Sequence, residues 1–321
     1  EIYAQLKKSG YGKHPQRDRG PGGERADETK RYEFGDPFHL NLGDTIMNAV
    51  FREGPQVPVR LDKDDFEVFR SETLTTTATT GDASMTIDQS GGLTTIASAT
   101  TNATTGVGTM DVNTAGGTLT VTTAATNVTS GDGTMNISGD GGAVTVTTAT
   151  ATATTGDADV NITATSAGLT TTTITAIGDD ADVTMTTTGA PGDGNIAIDT
   201  VTAAGDRVTL DSTGNVNDDE VGTNDITALE LVAVTDTGFG TAANPIDTTV
   251  SFVEGTGGTL AFEQRNTGAL TIGILTNSDE AGVTAATEVD IRTVGVVANQ
   301  AITVVENVES TTTTVTLVAA D

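Results

Sequence analysis

The sequence predicts an all-β chain: a right-handed parallel β-helix, or β-solenoid, preceded by a small mixed α/β segment. Three observations carry that expectation. A block of 25 residues recurs without gaps as TTGDASMTIDQSGGLTTIASATTNA (79–103), TTGVGTMDVNTAGGTLTVTTAATNV (104–128), TSGDGTMNISGDGGAVTVTTATATA (129–153) and TTGDADVNITATSAGLTTTTITAIG (154–178). A fixed period of this size is the mark of a stacked array, in which each unit buries its apolar face only against its neighbours. Within a block, as in TMNIS and AVTVTT, apolar and polar residues alternate by two and many are β-branched, which suits strands and not helices. Aromatic residues make up 3% of the chain and Trp is absent, so the core must be thin and built from small side chains.

Taken in order, residues 1–30 form a Gly-, Pro- and charge-rich segment that reads as flexible, exemplified by KKSGYGKHPQRDRGPGGERADETKR (7–31). Residues 31–72 read as a small cap-like region. There Asp44 is placed to cap a short helix running through Phe51 and ending before Gly54, while PVRL and FEVFRS read as strands flanking a DKDD turn.

Residues 73–178 carry the regular repeat. Gly81, Gly106, Gly131 and Gly156 form one column, Met85, Met110, Met135, Val160 and Met185 a second, and Ile87, Val112, Ile137 and Ile162 a third. Alternation points Met110, Val112, Leu119 and Val121 inward in one coil and Met135, Ile137, Val144 and Val146 in the next. Burying each is worth ~1.5–3 kcal/mol, too little for a lone coil to order itself but additive along a stack. Residues 179–321 continue the style less regularly. At the 25-residue period, residues 79–321 imply about ten coils and, at ~4.8 Å per coil, a rod nearly 50 Å long.

Charge narrows the function classes. Of a formal net charge of −29, twelve of fifteen Lys and Arg and fourteen of 44 acids lie in residues 1–72, leaving three cations against thirty acids beyond them. Such a surface repels nucleic acid and anionic lipid. The absence of Cys excludes disulfides and thiolate metal sites, and no run of about 18 apolar residues is present to span a membrane.

Chemistry-bearing residues are few. His14 and His39 have no nucleophile arranged beside them, and KSGYGKH lacks the spacing of a phosphate loop. Asp82, Asp132 and Asp157 recur at corners, with Asp179, Asp180 and Asp182 clustered after them; calcium is the one cofactor these acids would suit, whereas turn formation explains them without a metal. The most regular outward feature is a threonine ladder: Thr95, Thr120, Thr145 and Thr170 align, with Thr122, Thr147 and Thr172 two residues on. A flat T-x-T array can match ice, and Thr also pairs with itself across strands. Arg207, Arg265 and Arg292 lie far apart in sequence, which disfavours a polysaccharide-cleaving groove.

Two resemblances follow from particular residues. GDRVTLDSTGNVND, GTAANPIDTTVS and RNTGALTIG resemble the repeats of large bacterial surface proteins of the filamentous haemagglutinin and autotransporter-adhesin type, over roughly residues 79–321. That resemblance implies a non-catalytic extracellular or cell-surface role as stalk, adhesin or filament, with self-association or matrix components as partners. RYEFGDPFHLNLGDTIMNAVFREG and DDFEVFRSE are similar to the region preceding the von Willebrand factor A domain in a group of bacterial proteins, but TLTTTATTGDASMTID follows without that domain's D-x-S-x-S metal motif. An ice-binding protein and a polysaccharide-degrading enzyme are the other classes this sequence admits.

Overall fold

The computed structural model describes residues 29–32, 40–55, 58–69, 73–90, 92–203, 205–218, 224–276, 278–295 and 300–320. His14, His39 and nearly all of the charged segment 1–30 lie outside these residues.

From Thr73 onward the chain winds into a parallel β-solenoid of about nine turns. Each turn contributes to two sheets. One is built from strands such as Ala83–Gln89, Gly108–Thr114, Gly133–Gly139 and Ala158–Ala164, the other from Leu119–Val128, Val144–Ala153 and Leu169–Ile177. The second sheet is creased. Its alternation of buried and open positions breaks after Val121, so residues 119–121 and 124–128 form two facets of one strand. The expected inward residues Met110, Val112, Leu119, Val121, Met135, Ile137, Val144 and Val146 are all buried, and Met110 stands directly over Met135. The alanine facet, Ala149, Ala151 and Ala153 in one turn, completes the core. With strands 4.7–4.9 Å apart, the stack measures roughly 43 Å along its axis.

The glycine columns have two causes. Gly106, Gly131 and Gly156 adopt positive φ of 100°, 120° and 116°, and a Cβ on Gly131 would fall 2.3 Å from the carbonyl oxygen of Gly106 one turn below. Backbone therefore sits directly on backbone at this corner, where no L side chain fits. Outward polar residues form ladders: Asn136 Nδ2 donates to Asp111 Oδ1 at 2.7 Å, Asn161 Nδ2 to Asn136 Oδ1 at 3.1 Å, and Asn127 Nδ2 to Asn102 Oδ1 at 3.0 Å.

Two expectations need correction. Met185 does not continue the methionine column; Val183 pairs with Val160, and Met185 stacks on Ile162. The corner after Gly178 is two residues shorter than its predecessor, and because both Val183 and Met185 point inward, the alternation conceals the slip. Residues 273–276 and 278–282 leave the wall as an excursion that adds chain without adding a layer. Nor is the core uniformly small: Phe239 stacks on Phe262 with ring centroids 4.5 Å apart.

In the front region the helix runs Leu42–Glu53 and its cap is Asn41, whose Oδ1 accepts from Asp44 N at 3.1 Å; Asp44 belongs to the first turn. Residues 58–61 of PVRL form no strand, and Glu67–Phe69 pairs antiparallel with Thr29–Arg31. The DKDD turn is a short 3-10 helix, Lys63–Asp65. Arg52 Nη2 reaches Asp65 Oδ2 at 2.7 Å, and this guanidinium holds the Asp65 carboxyl below the usual carboxylate range.

Replacing Gly131 by Ala should lower stability by about 1–3 kcal/mol through backbone strain, whereas Thr147→Ala, at an exposed position, should leave it nearly unchanged. Urea unfolding of both variants checks this; equal midpoints would contradict the stacked-corner account.

Candidate functional site

Three parts of the surface stand out. The threonine column Thr95, Thr120, Thr145 and Thr170 is in register from turn to turn and ends at Ala197. Thr122, Thr147 and Thr172 are exposed but sit at the crease, outside the paired register, so the two columns belong to different facets of the wall. The corner acids act on backbone. Asp82 Oδ1 accepts from Val107 N at 2.9 Å, Asp132 Oδ1 from Asp157 N at 3.1 Å, Asp179 Oδ2 from Gly156 N at 3.2 Å, and Asp182 Oδ1 from Arg207 N at 3.1 Å. Each carboxylate thereby supplies an acceptor to a neighbouring turn where the corner leaves an N–H without one. Among the described residues no group of three or more His, Asp or Glu is placed to hold a metal.

The third part begins near residue 199, where charged groups replace threonine. Along the creased sheet, Asp247 pairs with Arg265 and Arg265 with Arg292, so two cations distant in sequence occupy adjacent layers. Asp225, fully buried, accepts from Asp247 N at 2.7 Å through Oδ2, while Oδ1 meets no donor. Burial, with Asp218, Asp247 and Asp199 nearby, pushes its carboxyl up to about 8. Burial likewise raises Glu263 to about 7, reinforced by Asp290 and Glu288 and opposed by Arg292 and Arg265.

On the other sheet Arg207 pairs with Glu230, its Nε 2.8 Å from Glu230 Oε2, and its Nη2 donates to the carbonyl of Thr276 at 2.6 Å. That bond ties the excursion, residues 273–276 and 278–282, to the wall. A second tie runs from Thr256 Oγ1 to Glu280 Oε2 at 2.6 Å, and a third from Leu275 N to Glu254 Oε1 at 2.8 Å. Chemically these groups can fasten backbone and hold protons. Sequence reasoning noticed Arg207, Arg265 and Arg292 but not Glu254, Glu263 or Asp225; the available signal was an acid at an outward position otherwise filled by Thr or Asn, as in SFVEG.

Comparison with known proteins touches only the front of the chain, where residues 24–71 match the family described as Rv0959-like protein, third domain. No curated protein and no solved structure matches the chain.

Asp225 and Glu263 bind protons more tightly folded than unfolded, so their contribution is full below about pH 4 and is lost as pH rises through about 7 and about 8. Urea titrations should therefore show stability falling from about pH 4 to about pH 8, with a shallower fall in Asp225→Asn. Constant stability across that window would contradict the assignment.

Proposed function

We propose that this chain is a non-catalytic structural rod of the cell exterior, a stalk or adhesive filament segment that holds surfaces at a set distance. The observation that supports this reading best is the parallel register, which among the described residues joins every strand of the solenoid from Thr73 to Val318. Such a wall resists axial compression because every layer bears on the next through backbone hydrogen bonds and filled side-chain columns. The outward Thr and Asn ladders and the acidic surface suit a solvated shaft. They also suit the resemblance of the repeats to surface adhesins.

The last layer supports a role in longer assemblies. Val315 and Leu317 stand over Val289 and Ile291, which are fully buried, yet are themselves 41% and 37% exposed. A coil of a second chain would cover them and pair with the open strand edge.

Electron microscopy of the concentrated chain should show rods joined end to end, and Val315→Asp with Leu317→Asp should reduce them to single rods. Antibody labelling of intact native cells should decorate the surface. Isolated rods at every concentration would remove the self-association, and labelling confined to the cytoplasm of opened cells would remove the exterior role.

A further inference from the structure

The crease parts the Thr95 and Thr122 columns, but a continuous threonine grid lies on the facet beyond it. Its middle column runs Thr75, Thr100, Ala125, Thr150, Thr175 and Thr202, each paired with the next. Beside it stand Thr123, Thr148, Thr173 and Thr200, in the same register. Three successive turns therefore present a pair of threonines two residues apart: Thr148 and Thr150, Thr173 and Thr175, Thr200 and Thr202. The residues between the members of each pair, Ala149, Ile174 and Val201, are fully buried, so both members face outward.

Charge and hydrogen bonding set this facet apart. Beyond residue 72 the chain holds thirty acids against three cations, and outward positions of the opposite sheet include Asp88, Asp111 and Asp159. On the grid facet no outward position among the described residues from Thr75 to Thr202 is charged; charge returns at Asp247 and Arg265. On the opposite sheet polar groups are spent on one another, Asn136 on Asp111 and Asn161 on Asn136. In the grid Thr200 donates to Asp199 at 3.3 Å, whereas the hydroxyls of Thr100, Thr148, Thr150, Thr173, Thr175 and Thr202 meet no partner among the described residues. At the far end Thr227 accepts from Asn224 Nδ2 and Thr249 donates to Asn224 Oδ1, both at 2.8 Å, which closes the open array.

Neighbouring turns lie ~4.7–4.9 Å apart, and alternate residues of one strand ~6.4–6.8 Å apart. These spacings are close to the two repeats at which oxygen recurs on a prism face of hexagonal ice. A β-branched side chain packed between like neighbours keeps one rotamer, so hydroxyls and methyl groups are fixed before any ligand arrives. One hydroxyl gains little from one water molecule, because liquid water competes for the bond. A grid in register engages many at once. A charge within it would impose a hydration shell of its own.

We propose that the facet from Thr75 to Thr202 is an ice-binding face, whose hydroxyls and methyl groups order a layer of water that joins the surface of a growing crystal. The bound rod then halts the advance of that crystal plane. This role is independent of the mechanical one, which needs no ligand. A neutral polysaccharide fits less well, since the facet offers no aromatic ring for sugars to stack on. A second copy laid face to face would strip water from hydroxyls that have no other partner.

The test is ice growth in solutions of the full chain, read as crystal shape and as the gap between the melting and freezing points of a single crystal. Wild type should shape the crystal and open the gap. Thr150→Tyr with Thr175→Tyr, in the grid, should shrink the gap about tenfold; Thr120→Tyr with Thr145→Tyr, on the other side of the crease, should leave it unchanged. No shaping and no gap with wild type, or equal loss in both double variants, would overturn the assignment. So would sedimentation with crystalline cellulose, or dimerisation, in place of ice activity. If the grid variant does not fold, labelled wild type decides. Every lysine lies before residue 64, so an amine-reactive dye leaves the grid untouched. Adsorption of the dyed chain to the prism faces of a single ice crystal supports the assignment, and its exclusion from the ice refutes it.

Discussion

Backbone stacked on backbone at strand spacing is the constraint from which the rest of the molecule follows. A parallel ladder that repeats every turn requires the corner, as well as the strand, to return to the same place. At the Gly106 to Gly131 corner the peptide planes meet so closely that a side chain would displace the turn above. The same closeness leaves corner N–H groups short of acceptors, which Asp82 and Asp132 supply from the neighbouring turn. Core size is set by this geometry too. Facets only a few residues long admit Ala, Val, Ile and Met over most of the stack, and a ring fits where Phe239 can lie flat on Phe262.

How much of this was legible depended on how often a feature recurred. The repeat, the inward columns and the glycine corners appear in four consecutive blocks, so alternation and period together located them. The slip at Val183 was hidden because Met185 points inward in either alignment. In the front region the helix was visible, but the choice between Asn41 and Asp44 as cap was not, since both are good acceptors and the bond from Asn41 N to the Glu67 carbonyl, which fixes the helix start, joins residues far apart in sequence. The burial of the acids Asp225, Glu254 and Glu263 was illegible for a different reason. Each occurs once, and its burial comes from segments that pack over it far along the chain.

Along the rod the electrostatic character changes. In the Thr-rich turns polar groups face water and pair sideways with their equivalents. Beyond residue 199, several carboxyls lie buried between layers, and burial first, then neighbouring acids, raise them above the usual carboxylate range, Asp225 to about 8 and Glu263 to about 7. An acidic chain ordinarily gains solubility from its charge at the expense of compactness. Here part of that charge is absent in the folded state, which lets neighbouring layers approach despite the carboxylates they carry.

The parted strand at residues 272 and 283 separates two lengths that are usually the same. Contour and height are independent in this protein: residues 273–276 and 278–282 leave the wall over a gap that the layer below crosses with the single residue Glu254 and the layer above with residues 305–307, and parallel pairing continues on both sides of it. Added sequence at such a point would widen the girth and leave the reach untouched. A lineage could therefore vary what the shaft wears without altering how far it extends.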